Sequence, residues 1–367
     1  MAYRKSKGKA RSSKKKEPAR KSKGKMTRRS KKIEPAVQTM NFFFSVAGGA
    51  TTNATVDLSQ CASLLNRRFY RQGINWAVSS IKVLNDSVQP LDGTVTVQKL
   101  PSTWVMSNAW EKSFRTWQRM NNEALEENES IRPRFLDFKI YADNLHHSVG
   151  AAANLLPLSS AGGFAAGEWK YSKLAMPDNT VAVGETTDRE FIAVGASYPG
   201  AGATGLDAVS LIEGYAASRG LPPVTDPNVP GDADDVGPEI ANPENWMSSV
   251  FTEGTEQTED VLDRMVGENN LAPYPFEGAT VGGVLFSDTQ YPNGANQGPG
   301  LEVHDTEYIT GTTVGGTSLL KGGMFPAGLM RFVAVNNNAA ATLNFTIQVN
   351  LVPGHHRGYL CEPMTEM

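Results

Sequence analysis

TLNFTIQVNLVPG, residues 342–354, is the stretch that decides the fold class. Apolar side chains occupy every second position from Leu343 to Leu351, and Asn, Thr or Gln fills each position between them. Successive side chains of a β-strand point to opposite faces, so this period of two predicts a strand with one buried and one exposed face. Pro353 and Gly354 then predict its end.

Seven other stretches follow the same pattern less regularly. They are residues 40–46, 74–84, 93–100, 134–142, 189–194, 301–310 and 328–335. Eight candidate strands, spread over the chain and separated by segments rich in Gly, Pro, Asn and Ser, are typical of an antiparallel sandwich or barrel. The sequence therefore predicts an all-β fold with a few short helices, and a single eight-stranded antiparallel jelly roll fits best.

An amphipathic helix is predicted over residues 108–127. Trp110, Phe114 and Trp117 fall at i, i+4 and i+7, and Ser107 is placed to cap the first turn. Aromatic side chains at helical spacing usually pack in a core, so we assign this stripe to the core.

Two shorter helices and a long loop complete the predicted elements. One helix is expected within residues 255–269, where acids crowd the first turn and Gly267 is a plausible stop, and another within residues 59–70. Residues 197–245 show little sustained periodicity, and they predict a long surface insertion near residues 197–250.

The first 32 residues differ sharply in charge from the rest of the chain. They contain sixteen Lys or Arg and one acid, Glu17, which leaves 19 basic and 37 acidic residues for the other 335. The two parts carry formal charges of +15 and −18, although the whole chain carries only −3. With almost no apolar side chains to bury, residues 1–36 are predicted to form an arm that is disordered when free.

The composition of this arm predicts nucleic-acid binding by charge. Lys and Arg side chains neutralise phosphates and release condensed counterions whatever the base sequence. Tyr3 is the only aromatic residue of the arm, so it lacks the stacking platforms that single-strand readers interleave with charge. The predicted contacts are Arg4, Lys5, Lys7, Lys9, Arg11, Lys14, Lys15, Lys16, Arg20, Lys21, Lys23, Lys25, Arg28, Arg29, Lys31 and Lys32.

A basic tail can also serve in nuclear import or in binding to a membrane surface. KKKEPARKSKGK and RRSKK would also serve as nuclear-import signals, and import by a host receptor is compatible with packaging. A polybasic membrane patch would need an acyl site or an apolar anchor as a second signal, and the sequence offers neither. We therefore expect no membrane partner.

Several classes of protein are disfavoured by the composition. The sequence has no run of eighteen apolar residues, so it predicts no membrane span. Its first residues lack the apolar region of a secretion signal. Cys61 and Cys361 are the only cysteines, without CxxC spacing or a nearby histidine ligand. Both are interpreted as free thiols in a reducing compartment, and neither as a metal ligand.

One motif suggests nucleotide binding. Gly200, Gly202 and Gly205 spell GxGxxG in GAGATG, between a predicted strand and LDAVSLIEGYAASR, a stretch that is compatible with a helix. Five residues separate the strand from Gly200, whereas the first glycine of a dinucleotide fold lies in the turn that leaves the strand. Asp226 is at a tolerable distance for a ribose contact but lies in a Pro-rich loop, so a surface loop is the favoured interpretation.

No other pattern points to metal binding or catalysis. The acidic residues of DPNVPGDADDVGPE depart from the calcium-loop pattern, and they are Asp226, Asp232, Asp234 and Asp235. Neither adjacent histidine pair resembles HExxH, and the five histidines are His146, His147, His304, His355 and His356. GxSxG, P-loop and QAC-type signatures are also missing from the sequence. The sequence therefore predicts a protein that is not an enzyme and that uses no cofactor or metal.

A basic N-terminal arm, a β-rich body punctuated by Gly and Pro, and no catalytic signature resemble the capsid proteins of small icosahedral viruses. GGMFPAGLMRFVAVNNNAAATLNFTIQVNLVPGHHRGYL, residues 322–360, is similar to the final strands of capsid proteins from Rep-encoding circular single-stranded DNA viruses, with the bacilladnaviruses as nearest kin. The resemblance implies a jelly-roll shell domain over residues 37–367 and an arm, residues 1–36, that faces the particle interior.

The expected function follows from this resemblance and from the charge split. A capsid protein would assemble with itself into a shell of 60 or 180 copies and package a genome, which is expected to be single-stranded DNA. Its expected location is the virion, and the host nucleus or cytoplasm during assembly. The alternative is a cellular nucleic-acid-binding protein whose β-rich body recognises a partner.

Overall fold

The fold was determined as a computed structural model, and all described residues lie in the unit Ile33–Met367 of the two units into which the chain divides. The described residues are 35–85, 92–132, 137–160, 162–177, 186–197, 200–218, 246–247, 280–281, 284–285, 293, 298, 300–311 and 316–367.

Eighteen strands and four α-helices occur in this part of the chain. The strands are β1 (Thr39–Val46), β2 (Thr51–Asp57), β3 (Ile74–Asn85), β4 (Asp92–Lys99), β5 (Leu158–Ser159), β6 (Gly162–Gly163), β7 (Lys173–Pro177), β8 (Thr186–Ile192), β9 (Ala208–Ser210), β10 (Thr280–Val281), β11 (Val284–Leu285), β12 (Glu302–Thr310), β13 (Thr317–Phe325), β14 (Leu329–Asn336), β15 (Leu343–Leu351), β16 (Pro353–Gly354), β17 (Gly358–Tyr359) and β18 (Cys361–Pro363). The helices are α1 (Leu58–Asn66), α2 (Trp104–Glu127), α3 (Asn144–Val149) and α4 (Leu211–Ser218).

Eight strands of seven to twelve residues form two antiparallel sheets. The first sheet has the order β1-β15-β3-β13, and the short strand β18 also pairs with β3. The second sheet has the order β12-β4-β14-β2. Strands that are neighbours in a sheet are therefore distant in sequence, as in the pairing of Phe42 with Ile347.

The two sheets share one hydrophobic core. In β15, buried and half-buried residues alternate without a fault from Leu343 to Leu351, as the period of two predicts. The rings of Phe44 and Phe345 stack within this core at a centroid distance of 5.3 Å. The other sheet contributes Val97 from β4 and Phe332 from β14. The predicted all-β class, built on antiparallel sheets, is confirmed.

A second hydrophobic cluster lies under α2. It includes Trp110 and Trp117 of that helix, Phe138, Phe191 of β8 and Trp246. Strand β8 pairs antiparallel with β7 and parallel with β9 in a third, three-stranded sheet. The aromatic stripe of α2 is therefore core packing, as predicted.

The helices differ from their predictions in detail. With 24 residues α2 is not short, and it begins at Trp104, where Thr103 rather than Ser107 accepts the capping hydrogen bond from the Met106 amide. Ser107 instead donates a hydrogen bond to the Met364 carbonyl at 2.7 Å. Helix α1, Leu58–Asn66, begins one residue before the predicted range 59–70 and ends inside it, and the helix predicted within 255–269 lies outside the described residues.

The strand predicted at residues 134–142 is wrong over its described part, 137–142. Only Tyr141 forms an isolated bridge there, to Ile192. The amide of Ile140 donates to Gln72 Oε1 at 2.6 Å, and that of Lys139 donates to Ser172 Oγ at 2.9 Å. Side chains thus satisfy backbone groups that a neighbouring strand would otherwise bind.

The segment expected to be a loop, residues 197–245, contains regular structure in its described part. β9 and α4 lie there, and Val209, Leu211, Ile212 and Ala216 are completely buried in the second cluster. The possible helix noted in LDAVSLIEGYAASR is α4.

Candidate functional site

The sixteen basic residues predicted to bind nucleic acid lie outside the described residues, since the description starts at Pro35. The point where the arm joins the folded body is described. There the amide of Val37 donates to Asn66 Oδ1 at 3.0 Å, and the hydroxyl of Tyr359 donates to the Val37 carbonyl at 2.7 Å. Gln38 donates to the Gly358 carbonyl at 3.1 Å. The arm thus starts from a fixed point between the end of α1 and the turn at residues 355–358.

A buried polar network is centred on Asp57, at the end of β2 in the second sheet. Asp57 caps α1, because its Oδ1 accepts hydrogen bonds from the amides of Ser59 and Gln60. Its Oδ2 accepts from Gln72 Nε2 and from Trp169 Nε1, both at 3.0 Å. Burial raises the pKa of the Asp57 carboxyl to about 6, although these hydrogen bonds lower it.

The network continues through a histidine that is held in one tautomer. His146 Nδ1 accepts a hydrogen bond from the Ala142 amide at 3.1 Å, so the ring proton lies on Nε2, which is 2.8 Å from Asn154 Oδ1. Asn154 in turn donates to Gln60 Oε1 at 2.9 Å and to the hydroxyl of Tyr171 at 3.1 Å. Burial lowers the pKa of His146 to about 4, so the ring is neutral at physiological pH.

An ion pair joins α3 to the second sheet. Both terminal nitrogens of Arg331 in β14 donate to the carboxylate of Asp143, which also caps α3 through the His146 amide. Burial raises the pKa of Asp143, but the hydrogen bonds and charge of Arg331 outweigh it and hold the pKa below its usual value. The geometry is bidentate, the strongest arrangement for this pair.

The second buried histidine lies beside a cavity. His147 Nε2 is 3.0 Å from Glu190 Oε2, and Thr204 donates to the same oxygen at 2.9 Å. Glu190 lines a cavity of about 490 Å³ together with Tyr141 and Trp169. The two adjacent histidines therefore point into different surroundings, His146 to Asn154 and His147 to Glu190.

The GAGATG loop packs against this histidine. A Cβ atom on Gly202 would lie 2.6 Å from His147 Cε1, so glycine is required there for packing. Gly205 has a φ of 80°, and its amide donates to the Gly202 carbonyl at 2.9 Å. β9 separates this loop from α4, so the glycines do not open a helix as they do in a dinucleotide fold.

The remaining candidates from the sequence are dispersed or lie outside the description. The acidic residues at 226, 232, 234 and 235 are not among the described residues. Within the described ranges, no group of three or more His, Cys, Asp or Glu is arranged to hold a metal ion. Both cysteines are free thiols, and burial raises the pKa of Cys361 to about 12.

The polar network was missed by the sequence analysis, although part of it left a signal. The segment DLSQ, residues 57–60, places an N-cap residue three positions before a glutamine, which is the spacing of a capping box. Gln72, His146 and Asn154 join the network from distant segments, and no local pattern marks them. Asp57 and His146 are fully buried, so the network is part of the packed interior of the body.

No protein-family model, no curated protein and no solved structure matches the chain. No helix in the described part of the chain is long and apolar enough to cross a membrane.

Proposed function

We propose that the chain is the capsid protein of a small icosahedral virus, similar to those of Rep-encoding circular single-stranded DNA viruses. In this proposal residues 37–367 form the shell and residues 1–36 form an interior arm that neutralises the genome. The observation that carries the proposal is the charge partition, with +15 on the first 32 residues and −18 on the rest. One polypeptide thus combines a basic segment that attracts a polyanion with an acidic body that repels it.

The strand order supports a jelly-roll body. Counted along the chain, the eight strands that make up the two sheet orders are β1, β2, β3, β4, β12, β13, β14 and β15. One sheet then has the order first, eighth, third and sixth, and the other has the order fifth, fourth, seventh and second. Folding a long antiparallel hairpin over on itself, as two Greek keys, produces this order, which we propose is a single jelly roll of the viral-capsid type.

Self-association is supported by apolar side chains at one edge of the two sheets. β12 and β13 are edge strands, and the Lys321 amide of β13 donates to Asp305 Oδ2 of β12 at 2.8 Å. Val303, Tyr308 and Leu319 on these strands are 62%, 69% and 58% exposed. We call these three residues the apolar edge. Exposed apolar groups on an unpaired strand edge are typical of contact surfaces, and in a shell the partner is a second copy of the chain.

The arm charge sets the scale of the cargo. If one arm charge offsets one phosphate, 60 copies balance about 900 nucleotides and 180 copies about 2,700. Fully extended, 32 residues reach about 110 Å at most, which is far enough to enter the lumen from a shell wall.

Electron microscopy of the purified protein tests the proposal. The full chain should form closed particles of uniform size, whereas a chain without residues 1–32 should still form shells that contain no nucleic acid. A third variant keeps the arm length but replaces its sixteen basic residues with serine, so that charge is separated from length. The ratio of absorbance at 260 nm to that at 280 nm should be high only for the full chain.

Two results would contradict the proposal. Monomers or small oligomers under all salt and nucleic-acid conditions would reject assembly and favour a cellular nucleic-acid-binding protein with a partner-recognition body. An unchanged absorbance ratio in particles of the serine variant would reject the role of the arm.

A further inference from the structure

We propose that the folded body carries its own contact for single-stranded nucleic acid, an arginine patch at the root of the arm. This inference rests on the proposed function. The patch would add to the binding by the arm a site on the body that contains aromatic side chains, whereas Tyr3 is the one aromatic residue of the arm. We define the patch by the residues Arg67, Arg68, Phe69, Arg71, Lys139, Trp169 and Arg357.

Chain contacts bring two separate segments of the patch together. The segment RRFYR, residues 67–71, follows α1, and Arg357 lies in the turn before β17. Arg357 Nη1 donates to the Phe69 carbonyl, and the hydroxyl of Tyr70 donates to the Arg357 carbonyl at 3.0 Å. The arginine side chains at 67, 68, 71 and 357 are exposed.

The patch adjoins the point where the arm begins. Asn66 and Tyr359 both form hydrogen bonds with Val37. Asn66 directly precedes Arg67, and Tyr359 lies two positions after Arg357. The patch therefore lies beside Val37 and Gln38, which are among the first described residues of the body. The rest of the body carries a net negative charge, so the patch is a local exception.

Aromatic side chains distinguish the patch from a plain cationic surface. Phe69 and Trp169 are half-buried, and their ring centroids lie 6.4 Å apart. Lys139 Nζ lies 4.8 Å from the centroid of Trp169 and 5.6 Å from that of Phe69. Stacking platforms next to cations are what proteins use to bind single strands without reading their sequence.

Carboxylates at this surface do not cancel its charge. Asp137 Oδ2 lies 3.5 Å from Lys139 Nζ, and Glu362 lines the same cavity as Arg71. Asp137 and Lys139 form an ion pair whose side chains are 3% and 15% exposed, so the exposed charge of the patch comes from its four arginines. The pKa of His356 lies below its usual value because the ring is buried and because Arg357 and Arg71 are close.

Backbone geometry gives an independent reason to assign a function to two of these arginines. Arg67 and Arg357 have φ angles of 52° and 51°, in the left-handed region that favours glycine. Only four non-glycine residues of the described ranges have a positive φ, and these are two of them. Residues kept in such conformations often lie at functional sites, where the side chain matters more than the backbone conformation.

Photocrosslinking of the full chain tests the patch directly. The probes are a single-stranded DNA 30-mer and the RNA of the same sequence, each substituted with 5-bromouracil bases, and crosslinked peptides are identified by mass spectrometry. We expect crosslinks within residues 64–72 and around Trp169, in addition to any in the arm. Crosslinks confined to residues 1–36 would overturn the patch and leave the proposed function intact. No binding of either probe by the full chain would reject both.

A double variant separates binding from folding. Arg67→Gly with Arg357→Gly removes two charges and places glycine at two positive φ angles, so its urea midpoint should be no lower than that of the control. The control, Arg115→Gln with Arg119→Gln, removes two charges from α2, where each arginine is paired with a glutamate.

Salt dependence of binding is the readout. The slope of log K against log salt concentration for the DNA 30-mer should shrink by about 1.4 in the glycine variant, since each lost contact to a single strand contributes about 0.7. The slope of the control should match that of the unaltered chain. Equal slopes in the glycine variant and the unaltered chain, or equal losses in the glycine variant and the control, would overturn the proposal.

Discussion

The hydroxyl of Tyr359 lies between two segments, donating to the Val37 carbonyl and accepting from Asn66 Nδ2, each at 2.7 Å. Tyr359 is completely buried, and its ring packs on Trp76 at a centroid distance of 5.2 Å. One hydroxyl therefore fixes both the start of β1 and the end of α1. The position of the arm root depends on the core of the body.

Tyr359→Phe should loosen that root without opening the core. The substitution removes two hydrogen bonds, one to the Val37 carbonyl and one from the Asn66 side-chain amide. Their loss should lower the free energy of unfolding by about 1 to 3 kcal/mol. Hydrogen exchange should accelerate at the Val37 amide. The matched control is Tyr70→Phe, whose lost hydroxyl bonds the Arg357 carbonyl instead. Equal exchange rates at Val37 in Tyr359→Phe and the unaltered chain would contradict the assignment.

Arg331→Met should destabilise the body strongly. It leaves the carboxylate of Asp143 partly buried without its cation, which costs about 3 to 5 kcal/mol. Arg119→Met breaks an exposed pair with Glu123 and should cost about 0.5 kcal/mol or less. Urea unfolding measures both, and adding Asp143→Leu to Arg331→Met should restore part of the loss. A loss below that of Arg119→Met would refute the buried role.

Asp137→Asn should change how stability depends on pH between about 4 and 6. Burial raises the pKa of Asp137 from 3.8 to about 6, so the folded protein binds this proton more tightly than the unfolded chain. The resulting stabilisation is complete below pH 3.8 and is lost as pH rises through 6, an effect of up to about 3 kcal/mol. Asp57 has the same sign and window.

Unfolding experiments across this window measure the difference between variants. The stability of Asp137→Asn relative to the unaltered chain should increase as pH rises from 4 to 6. Asp188→Asn removes an acid whose side chain is 48% exposed and is the control. A pH-independent difference for Asp137→Asn would show that the carboxyl does not titrate in this window.

His146 acts on stability with the opposite sign. Its pKa is lowered from 6.5 to about 4, so its contribution is present above pH 6.5 and is lost as pH falls through 4. Protonation of Nδ1 would also break the hydrogen bond from the Ala142 amide. The advantage of the unaltered chain over His146→Gln in urea unfolding should therefore shrink as pH falls from 6.5 to 4. His355→Gln, at an exposed histidine, is the control, and an advantage that grows in acid would refute the assignment.

Tyr308→Asp, at the apolar edge, should block assembly without unfolding the body. A charge at a 69% exposed position costs the monomer little, but burying it against a second copy is expensive. Light scattering and electron microscopy should show monomers with an unchanged urea midpoint. Thr51→Asp adds the same charge to β2, at the far edge strand of the second sheet, and should still assemble. Normal particles from Tyr308→Asp would exclude the apolar edge from the contact.

The strand β15 could be predicted because only one of its faces is buried, so apolar and polar residues alternate along it without interruption. β13 was missed, since Gly322 and Gly323 and the exposed Leu319 break its pattern. The structure gives the reason: a Cβ atom on Gly322 would lie 2.3 Å from the Ser79 carbonyl oxygen, and one on Gly323 2.7 Å from His304 Cε1. Close packing therefore requires glycine at these two positions of β13, and glycine has no side chain to contribute to an alternating pattern.

β2 was missed for a different reason. Its sequence TTNATVD is mostly polar, and only its last three residues, from Thr55 to Asp57, are buried. Residues 137–142 fail in the opposite way, because alternate burial of Phe138 and Ile140 imitates a strand where the partners are side chains. The polar network could not be predicted beyond its capping segment, since Asp57 and His146 meet only when segments some ninety residues apart fold together.

The position of β15 between β1 and β3 also governs when the protein can fold. Thr39 pairs with Asn350, 311 positions later, so during synthesis β1 and β3 emerge long before the strand that joins them. Until then the first sheet has a gap at its centre, and so high a contact order makes folding slow. The first sheet can therefore be completed only after residues 343–351 have been synthesised. A nascent chain that stops short of β15 would lack an interior strand of the first sheet, so nearly all of the body has to be synthesised before this sheet can close.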